Sequence, residues 1–102
     1  MKEIDVHELK RMRDAGEPHQ LIDVREPYEA EETSMGGELI PMGEVLGALD
    51  RIRRDVPVVV HCRSGNRSRA VVEALSERHG LTNLINLQGG ITAWTREIAT
   101  GS

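Results

Sequence analysis

The chain has 102 residues and a formal net charge of −4, which fits one domain with a modest core and argues against general nucleic-acid binding. Its single cysteine excludes an internal disulfide framework and a cysteine-cluster metal site. No apolar segment approaches the ~20 residues of a membrane-spanning helix, and the amino terminus lacks a signal-peptide core, so we expect a cytoplasmic protein without a membrane partner.

The first predicted elements are a short strand at residues 3–4 and the helix that follows it. Asp5 is a residue type that caps helices, and Glu8 three positions later completes a capping-box pattern. Gly16 predicts the end of this helix. Its inward face is predicted from apolar residues at helical spacing, namely Val6, Leu9 and Met12.

A second strand is predicted over residues 20–24. Asp23 and Arg25 lie at its end, and the residues alone fit a local salt bridge between two strand-end charges. The acidic segment 26–33 follows, with Pro27 at a position that suits a helix start. We interpret this segment as a solvent-exposed helix face, with a docking surface for a basic partner as the less favoured alternative.

Residues 35–54 predict a glycine-opened short strand over 35–41 and a helix over 43–54. The inward side chains of this helix are predicted to be Val45, Leu46, Leu49 and Ile52. Its last turn is basic, which suits the negative end of the helix dipole and could also attract an anionic substrate or partner. The basic residues are Arg51, Arg53 and Arg54.

The chain is organised around residues 58–68. Three consecutive valines without alternation predict a strand that is buried on both faces, as in a parallel sheet. The only cysteine, Cys62, lies where this strand ends, and a polar loop with one glycine leads into a helix that Gly80 ends. The apolar residues of that helix that recur at helical spacing are Ala70, Val71, Ala74 and Leu75.

Cys62 is therefore predicted at the carboxyl end of a strand and beneath the N-terminus of the next helix. Free backbone N–H groups bind anions there, and the helix dipole with Arg63 and Arg67 favours a thiolate. Cysteines in such places can have a pKa lowered from ~8.5 to ~3.5–7.5. We predict a reactive, partly exposed nucleophile rather than a buried structural thiol. His61 would face away from it, as a buried histidine with satisfied hydrogen bonds.

The last predicted elements are a strand at residues 84–87, a turn at 88–90 and a closing helix in which Trp94 packs in the core. The alternation of strands and helices predicts one α/β domain over residues 1–102, with a largely parallel sheet covered on both faces. Ligands of such sheets bind beyond the carboxyl ends of the strands, where Cys62 is expected.

Three segments together resemble single-domain rhodaneses, the thiosulfate sulfurtransferase-like family. They are LIDVREPYE at residues 21–29, VVVHCRSGNRS at 58–68 and LQGGITAW at 87–94, in matching order and spacing. The resemblance implies a three-layer α/β/α fold with a mainly parallel central sheet of about five strands. One departure lies at residues 35–41, where many rhodaneses have a histidine and a Gly-Ala pair and this chain has MGGELIP.

The resemblance also implies sulfur transfer through a persulfide on Cys62. The donor would be thiosulfate or a persulfide or polysulfide, and the acceptor cyanide, a thiol or a sulfur-carrier protein. Neither a metal nor an organic cofactor is implied, and we expect a monomer. Asp23 and Arg25 would support the active-site loop from the neighbouring segment. The loop that would hold the persulfide consists of Arg63, Ser64, Gly65, Asn66, Arg67 and Ser68.

Two other functions stay open at this point. One is a cysteine-dependent phosphatase or arsenate reductase; cysteine-loop phosphatases place five residues between cysteine and arginine, whereas four separate Cys62 from Arg67. The shorter loop suits a sulfur atom better than a tetrahedral oxyanion, so we rank this function lower. A protein-interaction or sulfur-relay module with little thiosulfate activity is the third alternative, although inactive relatives of the family usually lack the cysteine.

Overall fold

A computed structural model of the chain describes residues 1–99, and its centre is a five-stranded sheet. The strands follow one another along the chain as β1 Glu3–Ile4, β2 Gln20–Asp23, β3 Glu38–Leu39, β4 Val58–His61 and β5 Leu84–Leu87. Their order across the sheet is β1-β5-β4-β2-β3, so β4 lies in the middle. Every neighbouring pair is parallel, which agrees with the prediction from the valine run. Residues 100–102, which the predicted single domain includes, lie outside the described part.

Helices cover both faces of the sheet. Their bounds are α1 Val6–Asp14, α2 Pro27–Glu32, α3 Asn66–His79 and α4 Gly90–Trp94, with a 3-10 helix at Met42–Arg51 and a π-helical turn at Thr95–Ala99. On one face, residues of α3 and of the 3-10 helix share an apolar cluster with Val58 and Val60. On the other face, residues of α1 and α4 share a second cluster with Val59 and Ile85. The predicted α/β fold, with a sheet between two helical layers, is confirmed.

The helix predicted over residues 43–54 differs from the structure in its type and in its buried face. Met42–Arg51 is a 3-10 helix, and its backbone leaves the helical region at Ala48. A 3-10 helix has about three residues per turn instead of about 3.6, so its side chains point in other directions than those of an α-helix. Leu46, predicted inward, is therefore 60% exposed, while Ala48 is buried.

The inward face of α3 was also predicted only in part. Ala70 is exposed and Ala74 is half-buried. The buried residues of α3 are Ser68, Val71, Val72 and Leu75. In α1, by contrast, the predicted cap and core agree with the structure, because Asp5 accepts a hydrogen bond of 2.9 Å from the Glu8 amide and the three predicted residues are buried.

Candidate active site

Cys62 lies directly after β4, where the chain leaves the sheet and turns toward α3. The residue is 1% exposed, so the expectation of a partly exposed thiol is wrong. The cause is the loop itself, which wraps around the sulfur. The Gly65 amide donates a hydrogen bond of 3.1 Å to Sγ, and the Ser68 hydroxyl oxygen lies 3.4 Å from it.

These contacts decide the acidity of the thiol. Burial raises the pKa of Cys62, but hydrogen bonds to the sulfur, among them those from the amides of Ser68, Gly65 and Ser64, lower it more, so the pKa lies below its ordinary value. The direction agrees with the prediction of a thiolate-favouring site. Hydrogen bonds within the loop are the larger cause, and the charge of Arg67 also acts on the sulfur.

The turn at Gly89 and Gly90 packs against the loop that surrounds Cys62. The Ile91 amide donates to the Cys62 carbonyl and the Thr92 amide donates to the Arg63 carbonyl, each at 3.0 Å. A Cβ atom on Gly90 would collide with both of these carbonyl groups, and its φ of 54° is in the left-handed region that favours glycine. The pair of glycines at the start of α4 thus marks a close approach between two backbone segments.

The loop residues differ in what they contribute to the site. Arg63 is exposed and lines a cavity of about 310 Å³, whose wall also includes Arg25 and Thr92. Gly65 adopts a left-handed conformation with φ 109°, which ends the loop and starts α3. Asn66 is exposed at the first position of this helix.

Arg67 is held by a partner that the sequence did not reveal. Its guanidinium donates two hydrogen bonds, of 2.7 and 2.8 Å, to the two carboxylate oxygens of Glu29 in α2. The hydrogen bonds from Arg67, together with one from the Glu26 amide, lower the pKa of Glu29 to about 2, although burial opposes this. The interpretation of segment 26–33 as a solvent-exposed face is therefore wrong at Glu29, which is buried.

Asp23 and Arg25 form a buried salt bridge with an N–O distance of 2.8 Å. Arg25 also donates to the main-chain carbonyls of Glu29 and Thr33, at 3.3 and 2.7 Å, so the pair connects the end of β2 to α2. Burial raises the pKa of Asp23, but the Arg25 hydrogen bonds and the nearby His61 hold it below its ordinary value. The two residues lie beside the loop region and fix the helix that carries the partner of Arg67.

His61, the residue that precedes Cys62, is fully buried. Its Nδ1 lies 3.2 Å from the Cys62 carbonyl oxygen, and its Nε2 lies 3.9 Å from an Asp23 carboxylate oxygen. Within residues 1–99 this Nε2 is the buried side-chain nitrogen without a hydrogen-bond partner, so the expectation of a satisfied histidine is wrong. Burial lowers the pKa of His61, because desolvation disfavours the imidazolium.

Ser68 connects the cysteine to two residues that sequence reasoning missed. Its hydroxyl oxygen lies 2.5 Å from Asn86 Oδ1 in β5, and Asn86 Nδ2 donates to a Glu3 carboxylate oxygen in β1 at 2.7 Å. Ser68 and Asn86 are both fully buried. The signal in the sequence is an asparagine within an otherwise aliphatic strand, Leu-Ile-Asn-Leu.

The basic end of the 3-10 helix does not join this site. Arg51 pairs with Glu38 and Arg53 pairs with Asp55, each through a short salt bridge. Residues 1–99 hold no group of three or more His, Cys, Asp or Glu side chains arranged to bind a metal ion. In the same part of the chain, no helix has the length and apolar character needed to cross a bilayer.

A family model described as a rhodanese-like domain matches residues 5–97 of the chain. The putative sulfurtransferase YtwF of Bacillus subtilis is 37% identical over 98 residues, which cover 95% of this chain and 93% of that protein. The probable adenylyltransferase/sulfurtransferase MoeZ of Mycobacterium tuberculosis is 33% identical over 98 residues, covering 93% of this chain. The chain spans 25% of the length of MoeZ, so only one part of that protein is similar to it.

Among solved structures, a rhodanese-related protein from Thermoplasma volcanium superimposes with a TM-score of 0.83 and 33% sequence identity. The match covers 96% of this chain and 94% of that one. Sequence and structural similarity therefore both extend over nearly the whole chain.

Proposed function

The chain belongs to the rhodanese-like domain family, and from this premise we propose that it is a sulfurtransferase that carries sulfane sulfur as a persulfide on Cys62. The donor is thiosulfate, a persulfide or a polysulfide. The acceptor is cyanide, a thiol or a sulfur-carrier protein. The observation that carries the proposal is the arrangement of loop amides around Sγ, which stabilises a sulfur anion at the end of β4.

In the first step the Cys62 thiolate attacks the outer sulfur of thiosulfate. A bond forms between the two sulfur atoms, the bond from the outer sulfur to the sulfonate sulfur breaks, and sulfite leaves with the bonding electrons. In the second step the acceptor attacks the outer sulfur of the persulfide and Cys62 leaves as a thiolate. The covalent intermediate divides one difficult transfer into two easier ones.

The residues around the sulfur suit transfer of a sulfur atom more than binding of a phosphate ester. Arg63 lines the cavity beside the loop and supplies positive charge to an incoming donor. The Arg67 guanidinium already donates two hydrogen bonds to Glu29, so these two donors are not available to hold a phosphate in a bidentate pair. The occupied Arg67 donors and the four-residue spacing between Cys62 and Arg67 disfavour phosphatase or arsenate reductase chemistry.

The test is the intact-protein mass after incubation with thiosulfate and then with cyanide. A gain of ~32 Da on Cys62 that disappears with release of thiocyanate is the expected result. The Cys62→Ser variant serves as the control, because it lacks the nucleophile and should gain no mass while keeping its fold. If thiosulfate and polysulfide both leave the wild-type mass unchanged, the proposed cycle is refuted, and the third alternative, an interaction module, is favoured.

A further inference from the structure

A chain of hydrogen bonds runs from the sheet edge to the cysteine. It starts at Glu3 in β1, whose carboxylate accepts from Asn86 Nδ2 at 2.7 Å. Asn86 Oδ1 in turn lies 2.5 Å from the Ser68 hydroxyl oxygen, which lies 3.4 Å from Cys62 Sγ. Asn86 and Ser68 are both fully buried, so water does not compete for these contacts.

The orientation of the Asn86 amide is determined by its neighbours. A carboxylate only accepts hydrogen bonds, so Glu3 requires the NH₂ group of Asn86 to point toward it. The Gly65 carbonyl, 3.4 Å from Nδ2, favours the same orientation. Asn86 Oδ1 is therefore directed at Ser68, and the amide cannot turn without losing its contact with Glu3.

This orientation decides where the hydroxyl proton of Ser68 lies. Two oxygen atoms 2.5 Å apart need a proton between them, and Asn86 Oδ1 has none to offer. Ser68 has a single hydroxyl proton for three neighbouring acceptors, since the Gly65 carbonyl lies at 3.2 Å and Cys62 Sγ at 3.4 Å. The shortest contact takes the proton, and the sulfur then faces the lone pairs of the hydroxyl oxygen.

We propose that Glu3 and Asn86 are positioning residues that set the reactivity of Cys62 by directing the Ser68 hydroxyl proton away from Sγ. With the proton held toward Asn86, the hydroxyl oxygen can accept a hydrogen bond from the protonated thiol. It withholds from the free thiolate a hydrogen bond that would stabilise it. A thiolate that is stabilised less is a stronger nucleophile, because nucleophilicity falls as the pKa of the thiol falls.

The inference builds on the proposed role of Cys62 as a nucleophile, but its test needs no sulfur donor. The measurement is the rate of Cys62 alkylation by iodoacetamide as a function of pH, whose midpoint reports the pKa of the thiol. If the protein transfers no sulfur, the alkylation rate can still be measured, so each of the two proposals can be refuted independently of the other. The other ionisable side chains near Cys62 and Glu3 stay unchanged in every variant below: Asp23, Arg25, Glu29, His61, Arg63, Arg67 and Arg69, the last of which pairs with Glu3 at 2.9 Å.

The test variant is Glu3→Ala, which removes the acceptor and allows the Asn86 amide to turn and donate to Ser68. Ser68 then donates to the thiolate, and the alkylation midpoint should fall by about one pH unit, a tenfold change in the ionised fraction at low pH. Glu3→Gln is the matched control, because it removes the same charge and keeps an acceptor oxygen for Asn86. Its midpoint should differ from that of the wild type by no more than about a quarter of the shift seen for Glu3→Ala.

A second control distinguishes an effect passed along these hydrogen bonds from a general disturbance of β1. In the Ser68→Ala background, Glu3→Ala should no longer move the midpoint, because the hydroxyl that transmits the change is absent. Gln88→Ala, which removes another partner of Glu3 at 3.1 Å without touching Asn86, should also leave it unchanged. Equal shifts in Glu3→Ala and Glu3→Gln, a shift that persists without Ser68, or no shift at all would each overturn the proposal.

Discussion

Replacing Glu29 by glutamine should destabilise the protein in a way that depends on pH. The substitution keeps the shape of the side chain but removes the charge that pairs with Arg67 at 2.7 Å. The Arg67 hydrogen bonds lower the pKa of Glu29 from its ordinary value of 4.5 to about 2. A shift of that size corresponds to about 3 kcal/mol of folding free energy at neutral pH.

Solvent reduces this figure. The Arg67 side chain is 35% exposed, and water screens an ion pair at the protein surface, so we expect a loss of about 1–2 kcal/mol for Glu29→Gln at pH 7. Because the pKa of Glu29 is lower in the folded than in the unfolded protein, its stabilisation is fully present above about pH 4.5 and is lost as the pH falls toward 2. The difference between wild type and variant should shrink over this interval.

The assay is urea unfolding followed by the fluorescence of Trp94, the only tryptophan of the chain, at pH 7 and at steps down to pH 3. Glu31→Gln is the control, since Glu31 lies in the same helix, is exposed and carries the same charge. The control should match the wild type at each pH. A stability difference for Glu29→Gln that is the same at pH 7 and pH 3 would refute the reasoning, as would an equal loss in the control.

Three further substitutions test other parts of the site. Arg67→Ala should weaken sulfur transfer and raise the pKa of Cys62, because the cation near the sulfur is lost; an unchanged pH profile of alkylation would contradict this. Gly90→Ala should cost about 1–3 kcal/mol in urea unfolding, because the new Cβ meets the carbonyls of the Cys62 loop, and a wild-type midpoint would disprove the close approach. Asp23→Asn should cost about 3–5 kcal/mol, since it leaves the buried Arg25 without its carboxylate partner; thermal unfolding measures this, and a loss below 1 kcal/mol would contradict it.

Local sequence patterns predicted the structure correctly where it depends on interactions within a few residues. The cap at Asp5, the start of α2 at Pro27 and the left-handed Gly80 after α3 all follow from backbone groups within a few residues. The 3-10 helix shows the limit of this approach. The spacing of its apolar residues fits an α-helix, but packing against α3 and the break at Ala48 select a different helix type and a different buried face.

Contacts between distant segments could not be derived in the same way. Glu29 and Arg67 are 38 positions apart, and Glu3 and Asn86 are 83 positions apart. An acidic residue in an acidic segment has no feature that distinguishes it from its exposed neighbours. Only the strand order, which brings β1 beside β5 and β2 beside β4, makes these pairs neighbours.

The sequence by itself determined the element order, the parallel sheet and the position of Cys62 at the end of its central strand. Those features follow from hydrophobic patterns, helix-capping residues and glycines, which act over a few residues. The tertiary structure decided how deeply the sulfur is buried, which carboxylate neutralises Arg67 and which side chains surround the Ser68 hydroxyl. These depend on distances between side chains from different strands and helices, and such distances exist only once the chain has folded.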